Sequence, residues 1–401
     1  MAEKIVLAYS GGLDTSCLVK WIKEKYGYDI ITVTGDVGND SDFSFIKDKA
    51  IRCGAIKSFV VDMKESFIKD YCFEALKADA LYENAYPLAT ALNRPPIAKA
   101  LVDIAKQEGA VAIAHGCTGK GNDQVRIEVC VNALDPNLKV LGPAREWGMT
   151  REELIKYAAA NDIPVPVKSG KDYSIDDSLW GRAIECGVLE NPWNEPPADV
   201  YQWTSSPEKW PDEAEYIEID FERGIPVAIN GKAYDPVELV VELNKIAGKH
   251  GVGRIDHIEN RLVGIKSREI YESPAGCLLI KAHIALEELC MSKDQLRFKQ
   301  YVATQYADLI YNALWFSSHR EDLAAYVDHT QRFITGTIRV KLYKGSAVVV
   351  GRKSPYSLYN YKLATYDEGD EFDQSSAPGF IQLWGLPVKI QSQLQNDRLG
   401  R

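Results

Sequence analysis

The sequence contains no apolar run approaching the about 20 residues that a membrane-spanning helix requires. It also has no excess of positive charge, because its formal net charge at pH 7 is -10. This balance argues against a nucleic-acid polyanion as the main partner. The N-terminal residues pass directly into a strand pattern and leave no room for a signal peptide. We therefore expect a cytoplasmic protein that binds neither membranes nor nucleic acids.

No two of the eight cysteines are spaced as C-x-x-C, so zinc or iron–sulfur ligation has little support and we predict no resident metal site. The scatter of the cysteines through apparent helices and strands indicates buried, reduced thiols. The remaining composition, 46% hydrophobic and 26% charged, is typical of an ordinary globular protein. A length of 401 residues favours two domains over one.

Two common phosphate-binding motifs, the Walker A loop and Gly-x-Gly-x-x-Gly, do not fit the N-terminal region. Residues 8–16 instead read Ala-Tyr-Ser-Gly-Gly-Leu-Asp-Thr-Ser, between an apolar strand at 5–8 and an amphipathic helix. The glycines let consecutive backbone N–H groups converge on one point, and the helix dipole adds partial positive charge there. A bare Gly-Gly pair would indicate only a tight turn, but this order between strand and helix predicts a phosphate site. It resembles the pyrophosphate loop of the N-type ATP pyrophosphatases, which cleave ATP between the α- and β-phosphates.

Strand and helix patterns alternate over the first 165 residues. Further strands are predicted at 29–34, 58–61, 111–114 and 139–141, with helices at 42–53, 95–107, 123–134 and after a capping box at 150–153. This order predicts an α/β fold in which helices cover both faces of a parallel sheet. Because ligands bind at the carboxyl ends of such strands, Ser10, Gly35 and Gly116 are expected to face one crevice.

Prolines and tryptophans concentrate between residues 163 and 211, which predicts a domain boundary near 165 followed by a packed, irregular crossover. The pattern then becomes α+β, with strands and helices at 215–221, 227–229, 235–248, 275–331, 337–342 and 346–350. The acidic run 367–373 is predicted to be a solvated loop, and 379–395 a terminal helix. The apolar groups of that helix suit either a subunit contact or packing on its own domain.

Two further polar runs could hold ligands. Residues 115–126 lie between a strand and a helix and combine three glycines with cationic, amide and carboxylate side chains. A helix cap would need only one of these residues, so this run predicts a ligand site. Residues 251–274 place many charges in a strand-like stretch, which taken alone indicates a solvated edge hairpin.

Together the segments 8–16, 115–126, 187–192, 251–256 and 266–272 resemble, in order, the motifs of the argininosuccinate synthase family. The resemblance spans nearly the whole chain, to Trp384. It implies a nucleotide-binding PP-loop domain of the adenine-nucleotide alpha-hydrolase-like fold at 1–165. It further implies an α+β synthetase and multimerisation domain at 166–365, and a C-terminal tail with an oligomerisation helix at 366–401. A cytoplasmic homotetramer of arginine biosynthesis is the expected assembly.

The resemblance implies a carbon–nitrogen ligase that joins citrulline and aspartate, consumes ATP with Mg²⁺, forms citrullyl-AMP, and releases AMP and pyrophosphate. Such adenylyl transfer depends mainly on positioning and charge stabilisation. Asp123 and Asp14 are the catalytic candidates, and Asp14 would cap the helix or orient the waters of the metal. The implied ATP-binding residues are Ala8, Tyr9, Ser10, Gly11, Gly12, Leu13, Asp14, Thr15, Ser16, Gly35 and Gly116. The implied aspartate-binding residues are Thr118, Asn122 and Asp123, and the citrulline-binding residues are Tyr86, Asn122, Arg126, Ser174, Glu259 and Tyr271.

Three positions depart from the family pattern. Ala91 and Ala183 stand where some members have serine, and Asn39 stands where glutamine is usual. The lost hydroxyls would weaken citrulline binding unless water replaces them. None of the three positions touches the phosphate chemistry.

Two other interpretations stay open on the residues. A different ATP pyrophosphatase would carry a basic surface or metal-binding cysteines if it modified tRNA. If it were a glutamine amidotransferase it would usually carry a cysteine, often directly after the initiator Met, where this chain has Ala2. A non-catalytic adenine-nucleotide sensor would explain residues 8–16 but not the polar runs at 115–126 and 254–272.

Overall fold

The computed structural model describes residues 2–164 and 173–399, apart from the side chains of residues 396 and 397. The alternating N-terminal pattern builds a five-stranded parallel sheet. Across this sheet the strands stand in the order Lys57–Asp62, Asp29–Asp36, Lys4–Ala8, Ala112–Ala114 and Lys139–Leu141. The chain passes first to one side of Lys4–Ala8 and later to the other, which opens a crevice at the carboxyl ends of the strands.

Helices cover both faces of this sheet, as predicted for an α/β fold. Alternate residues of the central strand point to opposite faces, so Ile5 and Leu7 enter one apolar cluster and Val6 enters another. The first cluster packs against the helices Leu13–Tyr26, Phe43–Arg52 and Arg151–Ala160. The second packs against the helices Ala89–Glu108 and Asn122–Leu134. The near-continuous apolar character of the central strand follows from burial on both sides.

The helix that borders the crevice begins earlier than predicted. It covers Ala89–Glu108, so Pro95 and Pro96 lie inside it and the prediction that they open it was wrong. Proline removes a backbone N–H donor and normally ends a helix. Here the residues from Ala89 to Asn93 are buried, with Leu92 fully inaccessible, and their packing outweighs the lost hydrogen bonds.

The remaining part of the first unit contains two antiparallel sheets and four long helices. One sheet has the strand order Lys232–Ala233, Ile225–Ile229, Glu215–Glu222, Gly336–Tyr343 and Ser346–Lys353. The other has the order Arg254–Asn260, Lys266–Glu272, Gly181–Glu185 and Ser174–Ser178. The helices are Pro236–Lys249, Pro274–Cys290, Lys293–Tyr311 and Ser318–Thr330. Together these elements enclose a single large apolar cluster.

A β-hairpin, Ser174–Ser178 with Gly181–Glu185, lies inside the stretch that was predicted to be irregular. The prediction was therefore wrong for these residues. The first strand reads Ser-Ile-Asp-Asp-Ser, which lacks apolar alternation and is rich in residues that strands disfavour. It pairs on one side only, and an edge strand tolerates such a sequence. The tryptophans of the stretch differ in burial, since Trp180 is buried and Trp193 is 93% exposed.

The chain divides into two compact units, Met1–Tyr356 and Ser357–Arg401, and the three sheets found among the described residues belong to the first. The second unit is built from short helical segments at Tyr361–Ala364, Ala377–Trp384, Leu386–Gln391 and Ser392–Asn396. The predicted terminal helix is thus broken at Gly385, and the acidic run 367–373 is an exposed loop as predicted. Over residues 2–164 and 173–399, no helix has both the length and the apolar character needed to cross a bilayer.

Candidate active site

The crevice opens into two adjoining cavities of about 420 Å³ each. The first cavity is lined by the glycine-rich loop and the neighbouring strand ends, through Ala8, Tyr9, Ser10, Gly12, Asp14, Thr15, Gly35 and Gly116. The second cavity is lined by polar side chains from both halves of the first unit, among them Asn122, Arg126, Ser174, Glu259 and Tyr271. Ser10, Gly116 and Asp123 border both cavities. The structure thus brings together the three polar runs that lie far apart in the sequence.

The loop turns sharply at Gly11, whose backbone φ of +75° lies in the left-handed region. Gly12 is the N-cap of the helix Leu13–Tyr26, and no side chain caps this end. The first N–H groups of the helix therefore remain available to an anion. The Ser10 hydroxyl accepts a hydrogen bond from the Gly12 N–H at 3.3 Å and lies 3.2 Å from the Thr15 hydroxyl. Of the two roles predicted for Asp14, capping was wrong, and its exposed carboxylate lines the first cavity instead.

Ser16 supports the loop from below. It is fully buried, and its hydroxyl lies 3.0 Å from the hydroxyl of Tyr9. Burial raises the pKa of Tyr9 to about 12, so its phenol stays neutral. The Thr34 hydroxyl donates to the Tyr9 carbonyl at 2.7 Å and ties the loop to the neighbouring strand. The Ser16 side chain is therefore buried beneath the loop and borders neither cavity.

Lys49 lies beneath the loop and has no counterpart in the sequence predictions. Its side chain is 1% exposed, and its Nζ donates to the Gly11 carbonyl at 2.7 Å. Burial lowers the pKa of this ammonium group. Within the described chain it has no carboxylate partner within ion-pair distance, so it adds positive charge below the phosphate loop.

Asp123 lies in a network of partly buried ions at the junction of the two cavities. Arg94 donates to the Asp123 carboxylate at 2.6 Å and also to Asp176, and Arg126 donates to Asp123 at 3.2 Å. Burial would raise the pKa of Asp123, but the charges of Arg94 and Arg126 outweigh it and lower the pKa to about 2. Burial raises the pKa of Asp176, which Arg94 offsets only in part. A carboxylate that stays ionised at neutral pH is therefore presented at the junction.

Glu259 is held by two phenol groups. Tyr271 donates to one of its oxygens and Tyr311 to the other, both at 2.5 Å. Tyr271 is stacked on Tyr86 with ring centroids 3.9 Å apart. Tyr86 is buried behind Tyr271 and shares a 2.7 Å hydrogen bond with the hydroxyl of Thr90, which lines the second cavity. The residues predicted around citrulline thus line the second cavity, except Tyr86, which lies in a supporting position.

Two further acidic residues, Glu185 and Glu269, line the second cavity together with Arg261. Arg261 donates to Glu185 and, at 2.7 Å, to Glu269. Burial and the neighbouring charge of Glu185 raise the pKa of Glu269 from its ordinary 4.5 to about 7. The prediction of a charged hairpin at a sheet edge is correct for the strand Arg254–Asn260, which is an edge strand. It is wrong for Lys266–Glu272, which is an inner strand and is largely buried.

Replacing Glu269 by glutamine is expected to flatten the pH dependence of stability. Because the folded pKa of Glu269 is raised, its stabilising contribution is complete below 4.5 and is lost as the pH rises through about 7. Glu269→Gln should remove a loss of about 3 kcal/mol across this range. Thermal unfolding of substrate-free protein from acidic to weakly basic pH measures this change in stability. Glu213→Gln, at an exposed position, is the control. Parallel pH profiles for Glu269→Gln and wild type would contradict the assignment.

Some predicted residues lie outside the cavities. Thr118 is exposed, and the backbone at Gly11 and Leu13 forms the loop without bordering either cavity. Ala183 lines the second cavity, whereas Ala91 is 1% exposed inside its helix, so only a serine at 183 would reach the cavity directly. The sequence analysis missed Arg94, Asp176, Lys49 and Tyr311. No motif marked them, because each is a lone polar residue whose partners are distant in sequence.

The comparisons with family models and with curated proteins agree on one family. Residues 4–164 match the family model described as the arginosuccinate synthase N-terminal HUP domain, and residues 173–391 match that of the arginosuccinate synthase C-terminal domain. The chain is 61% identical over 395 residues to argininosuccinate synthase of Dehalococcoides mccartyi strain BAV1, covering 98% of this chain and 97% of that protein. It is 56% identical over 395 residues to argininosuccinate synthase of Halalkalibacterium halodurans, covering 98% and 96%.

Similarity to solved structures is slighter. A predicted subunit of tRNA methyltransferase from Methanocaldococcus jannaschii aligns at 16% identity and a TM-score of 0.27. The alignment covers 39% of this chain and 76% of that one. A likeness of this size carries no argument about function.

Proposed function

This chain belongs to the argininosuccinate synthase family of ATP-dependent ligases in arginine biosynthesis, and we propose that it condenses citrulline with aspartate through citrullyl-AMP, with release of AMP and pyrophosphate. The observation that carries this proposal is the pair of adjoining cavities. One is walled by an anion-binding loop, the other by charged and amide groups suited to amino acids, and Ser10, Gly116 and Asp123 border both.

In this proposal ATP occupies the first cavity. Its β- and γ-phosphates lie against the loop of residues 8–16, where helix N–H groups and the hydroxyls of Ser10 and Thr15 are available. Gly35 and Gly116 line the same cavity without side chains. The family members' ATP dependence is consistent with this use of the loop.

Citrulline occupies the second cavity. Its α-ammonium group is complementary to Glu259, and its α-carboxylate is complementary to the guanidinium of Arg126. Ser174 and Asn122 offer further hydrogen-bonding groups on the same surface. This orientation directs the ureido group toward the junction with the first cavity.

Aspartate lies at the junction, beside Asn122 and Asp123. The ionised Asp123 carboxylate is complementary to the ammonium group of aspartate. Thr118, although exposed in the structure, remains a proposed contact at the rim.

Two displacements complete the reaction. The ureido oxygen of citrulline attacks the α-phosphorus, the bond from that phosphorus to the bridging oxygen breaks, and pyrophosphate leaves. This converts a poor leaving group into a phosphate ester. The aspartate amine, after loss of a proton, then attacks the ureido carbon, and the bond from that carbon to the AMP oxygen breaks. The loop and the fixed charges of the junction act by positioning and charge stabilisation.

Mg²⁺ enters as part of the substrate MgATP. The first cavity fits such an ion, because Asp14 lines it with an exposed carboxylate and Ser10 and Thr15 add hydroxyl oxygens, the donors that Mg²⁺ prefers. When bound, the ion would neutralise charge on the phosphates.

A single assay tests the reaction. Protein, MgATP, citrulline and aspartate are mixed, and AMP, pyrophosphate and argininosuccinate are measured. All three products should form in equal amounts, and omission of citrulline should abolish them. ADP as product, or no AMP with both amino acids present, would contradict the proposal. The second outcome would favour a different ATP pyrophosphatase or a nucleotide sensor.

The proposed organisation keeps a nucleotide-binding domain at 1–165, a synthetase domain at 166–365 and a tail at 366–401. Family models that end at 164 and begin at 173 support the first boundary. A cytoplasmic location is also part of the proposal, supported by eight cysteines that are all free thiols. We further propose a homotetramer in which the tail contacts other subunits.

Charging the tail is expected to dissociate the proposed homotetramer. In the second unit Phe380, Ile381, Leu383 and Trp384 are 62%, 65%, 73% and 75% exposed, an apolar surface that association would bury. The double variant Ile381→Asp with Leu383→Asp should therefore give a smaller species in light scattering after size-exclusion chromatography. Gln382→Asp, which adds charge at an exposed polar position of the same helix, is the control. An unchanged mass for the double variant would count against the proposed contact.

A further inference from the structure

We propose that the Tyr311 hydroxyl is a positioning group that joins the citrulline subsite to the aspartate subsite. The proposal rests on the function proposed above, because it assumes that Glu259 contacts citrulline and that Asn122 contacts aspartate. Tyr311 itself lies at the end of the helix Lys293–Tyr311, outside the polar runs that were predicted to bind ligands.

The Tyr311 hydroxyl makes two hydrogen bonds to two different predicted substrate residues. It donates to Glu259 Oε1 at 2.5 Å and accepts from the amide Nδ2 of Asn122 at 2.8 Å. Asn122 comes from the nucleotide-binding half and Glu259 from the hairpin of the synthetase half. One hydroxyl therefore links side chains that the chain separates widely.

These bonds determine which atoms face the cavity. The other side of the Asn122 amide accepts from the Leu262 N–H at 2.9 Å, so the amide is held in one of its two orientations. Glu259 receives Tyr271 on its second oxygen at 2.5 Å, which fixes the plane of the carboxylate. Each carboxylate oxygen retains a lone pair for a substrate ammonium group. Without the Tyr311 hydroxyl, both side chains lose one of the two contacts that orient them.

The ring of Tyr311 is held independently of its hydroxyl. It stacks on Tyr82 with centroids 3.5 Å apart, and the Arg126 guanidinium lies 4.8 Å above it. Arg126 also donates to the Tyr311 carbonyl at 3.2 Å. Burial, with the nearby charge of Glu259, raises the pKa of Tyr311, so the hydroxyl remains a proton donor. Removal of the hydroxyl alone should therefore leave the packing of the ring in place.

The test is Tyr311→Phe. KM for citrulline and KM for aspartate should each rise about tenfold, the effect of one lost charge-assisted or amide hydrogen bond. KM for ATP should stay within about twofold, because the first cavity does not contain these bonds. Tyr306→Phe, which removes a hydroxyl from a fully buried ring on the same helix without touching Glu259 or Asn122, is the matched control. An unchanged KM for both amino acids in Tyr311→Phe would overturn the proposal.

A double-mutant cycle separates positioning from general support. In the Glu259→Gln background, Tyr311→Phe should add less than about twofold to KM for citrulline, because the two residues act on that substrate as one unit. Independent, additive losses in the two variants would contradict the proposed link between Tyr311 and Glu259.

Should Tyr311→Phe fold poorly, Glu259→Gln alone still tests the proposal. That change should raise KM for aspartate as well as for citrulline, and an unaltered KM for aspartate would overturn the proposal.

Wild-type protein assayed in parallel keeps the two proposals distinguishable. If wild type forms no argininosuccinate, the proposed function fails. If wild type is active and Tyr311→Phe behaves as wild type, only the role of Tyr311 fails.

Discussion

Asp123→Asn is expected to block condensation with aspartate while citrulline is still activated. The carboxylate of Asp123 stays ionised beside Arg94 and Arg126, and in our proposal it receives the aspartate ammonium group. Truncating one partner of a buried charge pair costs about 2–5 kcal/mol, so kcat/KM for aspartate should fall about a hundredfold or more. Asparagine preserves the shape of the side chain, and Asp123→Ala should have the same selectivity.

Two assays separate the half-reactions. Exchange of radiolabelled pyrophosphate into ATP, with citrulline present and aspartate absent, reports the formation of citrullyl-AMP. This rate should stay within about fivefold of wild type, since Asp123 contributes only indirectly to citrulline binding. Argininosuccinate formation reports the second step and should nearly disappear.

The control is Asp103→Asn, on the exposed face of the helix Ala89–Glu108, where Asp103 pairs only with Lys99 in the described structure. Both half-reactions should be unaffected there. A loss of citrulline-dependent exchange in Asp123→Asn, with KM for aspartate unchanged, would overturn the assignment of Asp123.

Gly11→Ala is expected to abolish productive ATP binding. The left-handed φ of +75° costs an alanine about 1–2 kcal/mol. In addition, its Cβ would lie 2.9 Å from Ile46 Cγ1 and close to two more carbons of that side chain, so either Ile46 or the loop must move. Because a displacement of about 1 Å can cost about a hundredfold in rate, KM for ATP should rise about a hundredfold or activity should be lost.

Gly27→Ala is a closely matched control for this substitution. Gly27 has a φ of +73°, but no atom lies within 4 Å of an added Cβ, and it caps the far end of the same helix. It should lose about 1 kcal/mol of stability through backbone strain and retain its KM for ATP. Steady-state kinetics and thermal unfolding of both variants measure the two effects. Equal KM values for ATP in Gly11→Ala and wild type would show that the loop does not position the phosphates.

Local chemistry made much of the N-terminal half predictable. The apolar run of residues 5–8 predicted a strand of the parallel sheet, and the loop after it predicted the start of a helix. The capping box of Thr150 with Glu153 also forms as predicted. In each case the interacting groups are neighbours in the chain, so their spacing alone carries the information.

The predicted secondary structure was wrong where tertiary packing outweighed the local conformational preference of the residues. Pro95 and Pro96 lie inside a helix because the turn before them is buried against the core. The polar segment Ser174–Ser178 is a strand because Gly181–Glu185 supplies its partner. Neither outcome can be read from the propensity of the segment alone, because the compensating contacts are made by residues outside that segment.

The sequence by itself determined the family, the phosphate loop and the alternating order of strands and helices, because these depend on residue type and short spacing. Only the tertiary structure decided which distant side chains share a cavity. Arg94 reaches Asp123 and Asp176 across 29 and 82 residues, and Tyr311 reaches Glu259 across 52. These pairs form only when the parallel sheet, the hairpin and the long helices pack together, since desolvation and hydrogen-bond geometry then select their partners.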